Sequence, residues 1–123
     1  MSYIDGFVIA CSENKKDAFI EHARMADPFF IEEGALRVVE CWGDDVPEGK
    51  NTDFRMAVKA EPGEAVLFSY VEWPDKATRD ACFGKMMAEG FDDPRFDPQQ
   101  NPMPFDGKRM IFGGFVPVLS LEK

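Results

Sequence analysis

The apolar positions along the chain switch repeatedly between a period of two and a helical period, and each switch marks an element. Residues 3–11 place Tyr3, Asp5, Phe7, Ile9 and Cys11 on one face and Ile4, Gly6, Val8 and Ala10 on the other. Both faces are largely apolar, which predicts a central strand covered twice. From Ser12, read as an N-cap, the period becomes helical to about Glu33. Phe19, Ala23, Ala26 and Phe30 there follow i, i+4, i+7, i+11 spacing. Pro28 removes a backbone hydrogen bond inside that run, so the helix should kink or split there, and Gly34 suits the C′ position.

Residues 35–43 predict a second strand, followed by a Pro- and Gly-containing turn over 44–50. Residues 51–60 allow two readings: a short helix capped by Asp53, or a strand from the alternation over 54–58. After a turn at 61–64, residues 65–73 carry the strongest strand signal in the chain. Asp75 is placed as the N-cap of a second helix that Gly90 ends, with Ala77, Ala81, Gly84 and Ala88 as a narrow stripe. Residues 92–107, with Pro94, Pro98, Pro102 and Pro104, have no sustained period and predict a loop. Residues 108–119 predict the last strand, where Gly113-Gly114 implies a bulge or a close approach by another backbone.

The order strand, helix, strand, strand, helix, strand is the split βαβ arrangement. The expected fold is α+β and ferredoxin-like: one domain over residues 1–123, an antiparallel sheet, both helices on one face, and the first and last strands adjacent. The other face is apolar and has no helix to cover it. Burial against a second copy is expected, which gives a homodimer whose facing sheets form a dimeric α/β barrel.

Several segments also carry a resemblance. Residues 1–7, Gly43-Asp44-Asp45-Val46-Pro47-Glu48-Gly49-Lys50, Ala57-Val58-Lys59-Ala60 and the run from Pro104 to Phe115 are similar to the DUF1428, or YbaA-like, family. The resemblance implies a dimeric α/β barrel of ferredoxin-like subunits, in a family of unknown function. Residues 116–123 run past the usual end of that family.

Charge narrows the partners. Lys plus Arg number 14 and Asp plus Glu 23, for a net charge of −9 and a pI near 4.5. That balance argues against nucleic acid and against an anionic membrane surface. Three cysteines without a CxxC pair predict a reduced, cytoplasmic protein. No signal peptide or membrane span is read, and one histidine without a close cysteine pair cannot build a zinc site of the usual N/S type. No GxGxxG, P-loop or His-rich set occurs, so no cofactor or metal is expected.

Candidate chemistry is sparse, and no catalytic residue is assigned. The acidic turn Asp44, Asp45 and Glu48 reads as solvated, His22 as a histidine at the rim of the apolar stripe, and Cys41 as core. More informative are polar residues that interrupt apolar strands: Asp5, Arg37, Glu40, Ser69, Tyr70, Glu72 and Arg109. A buried charge is costly unless paired, so these must meet each other or a ligand. One reading pairs Arg109 with Asp5 or Glu40 structurally. The other is a pocket between sheet and helices lined by Phe7, Trp42, Phe68, Tyr70 and Phe112. Its ligand-binding residues would be Arg109, Lys108, Asp5, Glu40 and Tyr70, with Arg109 holding an anionic group and the Pro-rich loop as lid. Two functions follow: a small-molecule binding protein or enzyme, and a non-enzymatic dimeric module for protein interactions.

Overall fold

The computed structural model describes residues 2–123; Met1, which opens the 1–7 motif, lies outside the described residues. The sheet is built on two ten-residue strands, β1 (Tyr3–Ser12) and β3 (Glu64–Trp73), paired antiparallel from Tyr3↔Trp73 to Ser12↔Glu64. The shorter β2 (Arg37–Trp42) and β4 (Ile111–Phe115) flank them, giving the order β2-β3-β1-β4. The helices are α1 (Lys16–Ala26), α2 (Pro28–Glu32), the single turn α3 (Phe54–Ala57) and α4 (Lys76–Met87). This is an α+β chain with a four-stranded antiparallel sheet, as expected, and β1 and β4 are neighbours. The sheet is open, with β2 and β4 as free edges.

Register sorts side chains between two faces, because partners opposite each other across a pair point the same way. Tyr3 with Trp73, Asp5 with Val71, Phe7 with Ser69 and Phe112, and Ile9 with Leu67 share one face. Phe19 and Ala23 of α1, Phe29 of α2 and Cys82 of α4 pack on that face and form the core with it. Ile4, Val8, Phe68, Ile111 and Phe115 share the other face. Among the described residues only one end of that second face is covered, where Val58, just past α3, packs on Ala10 and Val66. Phe68 is 45% exposed and Phe115 62%.

Several boundaries depart from the sequence reading. Ser12 ends β1 and caps nothing: its hydroxyl bonds Asn14 Oδ1 at 2.8 Å, and a 3-10 turn over Glu13–Lys15 precedes α1. Pro28 splits the first helix, as expected. The helical reading of residues 51–60 holds in shortened form, because Asp53 accepts from Met56 N–H at 2.6 Å and Gly49 N–H at 3.0 Å. Asp75 caps α4 by accepting from Thr78 N–H at 2.7 Å. The last strand is shorter than predicted at both ends. Asp106 caps a 3-10 turn over Gly107–Arg109. Beyond Phe115, which pairs with Ile4, β1 has almost nothing left to pair with. The glycine pair makes no bulge; a Cβ on Gly114 would stand 2.7 Å from the Tyr3 ring, so the close approach is by a side chain.

Asp5 is the polar residue that the core is built around. It is 2% exposed and accepts from Trp73 Nε1 at 2.9 Å and from Arg79 Nη2 and Nε at 2.9 and 3.1 Å. The Arg79 guanidinium lies over the rings of Phe83 and Tyr3, at 4.3 and 5.2 Å from their centroids. The cluster ties β1, β3 and α4 together. Removing one partner strands a buried charge, a loss of about 3–5 kcal/mol. Arg79→Ala should therefore lower the urea midpoint by that equivalent with an unchanged slope; an unchanged midpoint would show that Asp5 is satisfied without it.

Candidate functional site

The five ligand-binding residues expected from sequence do not converge. Asp5 belongs to the cluster just described. Arg109 pairs with neither Asp5 nor Glu40. It donates to Glu64 through Nη1 at 2.7 Å and Nη2 at 2.8 Å, to Asp106 at 3.2 Å, and to the Lys59 carbonyl at 2.9 Å. The reason is register. Val8 stands opposite Ile111, so Arg109 lies toward the Ser12 end of β1, where Glu64 pairs, and Asp5 sits near the other end. Glu40 is two strands further away, on β2. The Arg109 guanidinium holds Glu64 down to about 2. Lys108 is exposed. Tyr70 is on the open face with the Arg37 guanidinium 5.9 Å from its ring centroid. Cys41 is also on that face, opposite Phe68, and is exposed rather than core.

The expected aromatic lining divides in the same way. Phe7, Trp42 and Phe112 have the parity of the helix face, Phe68 and Tyr70 that of the open face. A groove of about 670 Å³ follows the open face beside β4, lined by Ile4, Val8, Phe68, Tyr70, Ile111 and Phe115 among others. It is nearly all apolar.

The polar groups that do converge lie between sheet and helices. A cavity of about 140 Å³ is walled by Phe7, Phe19, Phe30, Phe96 and Phe105 and also lined by Ser69, Asp27, Glu40 and His22. Ser69 is 4% exposed, and its Oγ has no hydrogen-bond partner among the described residues. Its register neighbours are Glu40 on β2 and Phe7 on β1. Asp27 arrives through the helix break: Pro28 ends the α1 ladder, and Asp27 is left as the joint between α1 and α2. Its carboxyl meets that of Glu40. Burial, the hydrogen bond to Glu40 and the Glu40 charge push it up to about 9. A carboxyl raised in this way keeps its proton at neutral pH and can donate it to Glu40.

The Pro-rich segment forms the far wall and is fastened by Asn101. The buried Asn101 donates through Nδ2 to the carbonyls of Arg95 at 2.9 Å and His22 at 3.2 Å. Its Oδ1 therefore faces His22 Nδ1, 3.1 Å away. That network makes His22 Nδ1 the donor to the Asn101 oxygen. Asp27 and Glu40 also line a larger groove of about 710 Å³ outside the cavity, between α1, α2 and the free edge of β2. The carboxyl pair thus stands between groove and cavity.

Sequence reasoning named Glu40 among the ligand-binding residues of a pocket near the last strand, with Arg109, and named Ser69 only as an interruption of its strand. It missed Asp27, whose one local signal was its position before the helix-breaking proline. Among the described residues no helix is long and apolar enough to cross a membrane.

Comparison with known proteins adds a family and a fold. The family model "Protein of unknown function (DUF1428)" matches residues 2–107. The chain is 57% identical over 119 residues to the uncharacterized protein YbaA of Escherichia coli K12, covering 97% of this chain and 98% of that one. The uncharacterized YbaA of Shigella flexneri matches to the same extent. Among solved structures, a dimeric ferredoxin-like protein from an uncultured marine organism superposes with a TM-score of 0.59 at 13% identity, covering 98% of this chain and all of that one. That likeness speaks for the ferredoxin-like fold.

The carboxyl pair makes stability depend on pH in a stated direction. The Asp27 carboxyl lies at about 9 in the fold against 3.8 when exposed. Its contribution is therefore full below about pH 4 and is lost as pH rises through 9. Glu64, lowered from 4.5 to about 2, acts oppositely: its contribution is present above pH 4.5 and is lost as pH falls toward 2. Asp27→Asn should flatten the alkaline loss and melt higher than the parent at pH 8–9, with the acid limb unchanged. Parallel melting profiles for the two proteins would refute the shared proton.

Proposed function

The chain belongs to the DUF1428 family, whose function is unknown, and on that footing we propose that it is a single-domain protein working as a homodimer. Each subunit would bind a small uncharged molecule in the cavity between sheet and helices. The open faces of two sheets would meet and form a barrel-like shared core. Support for the dimer comes from the exposed Phe68, Ile111 and Phe115 on the uncovered face, a patch that water disfavours. The structural neighbour is itself described as dimeric.

Support for the ligand comes chiefly from Ser69. A buried hydroxyl without a partner costs about 1–3 kcal/mol, and such a cost is tolerable where a bound molecule completes the hydrogen bond. The Phe walls suit an apolar body. The Asp27–Glu40 pair can donate through its proton and accept through its free oxygens, which fits a carbonyl or hydroxyl and repels a carboxylate. The anionic ligand expected from Arg109 has less support, since Glu64 and Asp106 already neutralise that side chain. A carboxyl pair that holds one proton also equips the cavity for general acid–base chemistry.

Two measurements test this reading. Light scattering should give about twice 13.9 kDa, and Phe68→Asp should shift the protein toward monomer; a monomeric parent removes the dimer. In a thermal-shift panel, neutral phenols and ketones should raise the melting temperature and benzoate should not. Ser69→Ala should melt higher than the parent without ligand and respond less to the neutral compounds. A destabilised Ser69→Ala with full response would overturn the role of the hydroxyl.

A further inference from the structure

The last eight residues contain an apolar segment that the described residues of the subunit leave largely exposed. Val116 is 58% exposed, Val118 97%, Leu119 75% and Leu121 84%. The segment follows β4 directly in the chain, after Phe115, whose pairing with Ile4 is the last the β1–β4 ladder provides. It belongs to no strand, so its backbone groups lack ladder partners. At the opposite side of the sheet, the outer edge of β2 has no neighbouring strand. Beside that edge lies the 710 Å³ groove, lined by Ile20, Ala23, Ile31, Val38 and Trp42, with Lys16 and Arg24 also in its lining.

We propose that residues 116–121 of each subunit lie along the free β2 edge of the partner and roof the groove that leads to the partner's Asp27–Glu40 pair. The inference rests on the homodimer reading. An unpaired apolar strand and an unpaired sheet edge are complementary: backbone pairing supplies affinity, and alternate side chains fill the groove. Lys16 and Arg24 at the rim of the groove can face Glu122, which follows the segment. Pro117 has no N–H to donate, and an outermost strand tolerates that. Val116 and Pro117 also line the open-face groove, so the tail emerges from the face that the dimer would bury.

Reaching the edge of its own β2 is the poorer route. Three strand spacings, about 14 Å, separate β4 from β2, and the tail would have to cross the open face that the partner occupies. Two facing sheets, by contrast, leave seams at their edges, and β4 of one subunit can stand beside β2 of the other. Each cavity is then closed by the other chain, which makes the site a property of the dimer.

The test labels the isoleucine methyls. Ile20 and Ile31 lie in the groove, on the helical layer and away from the open face. In a chain ending at Phe115 their signals should shift from the positions seen in the full chain. They should return when that labelled chain is mixed with unlabelled full chain. The full-length double variant Leu119→Asp, Leu121→Asp, labelled and mixed in the same way, repeats the test without a truncation. Unshifted signals in both would overturn the proposal, as would shifts that mixing does not reverse, because the tail would then act within its own subunit. Light scattering of the full chain separates the two failures: a dimer with unshifted signals loses only the tail's role, whereas a monomer loses the homodimer reading as well.

Discussion

A sheet apolar on both faces and covered on one is the constraint from which the rest of this molecule follows. Its origin is β1. Ile4 and Val8 alternate with Asp5, Phe7 and Ile9, and the helices reach only the second set. The short α3 turn, with Val58 after it, shields one end of the bare face and leaves the β4 side open. Burying an exposed aromatic side chain is worth roughly 1.5–3 kcal/mol. Several such side chains in one patch make the bare face the strongest unbalanced force on the surface.

Polar groups inside the helical layer follow a second rule: each either has a full set of protein partners or it has room beside it. Asp5 has partners in Trp73 and Arg79, and nothing in that cluster is left for a ligand. On the other face, near the α3 end of β1, Arg109 and Glu64 satisfy each other in the same way. Ser69 is the opposite case, a hydroxyl on a covered face with a cavity in front of it and no acceptor or donor in reach. An unmade hydrogen bond distinguishes a candidate site from scaffold better than charge does, because buried charges in a stable fold are already matched.

The fold was largely legible because its signals are local. The period of β1, the proline break at residue 28, the capping aspartates at 53 and 75, and the strand content of residues 65–73 each act within a few residues. The site was much less so. Whether Arg109 meets Asp5 or Glu64 depends on the stagger between β1 and β4, which no local pattern states. The aromatic set was split for the same reason: Trp42 and Phe68 are similar in burial tendency, and only the β2–β3 register, which pairs Trp42 with Leu67 and Cys41 with Phe68, puts them on opposite faces. Asp27 was invisible because its meaning depends on Glu40, thirteen positions away and on another element. The length of the last strand failed for a further reason. Residues 116–119 have strand-like composition, but a strand exists only while a neighbour lasts.

In the proposed dimer, the position of Asp27 and Glu40 would link assembly to protonation. The pair faces both the inner cavity and the outer groove. Whatever covers the groove removes water from these carboxyls, and desolvation favours the protonated form of Asp27. Linkage then works in both directions: a cover that favours the proton is itself favoured by the proton, and by the same free energy. A neutral molecule in the cavity acts in the same sense, since it desolvates the pair from the other side without adding charge. Roof, proton and ligand would therefore bind cooperatively, although no two of them need touch the same atom. An anion would break this agreement, because it would force the proton to serve charge neutralisation instead of hydrogen bonding.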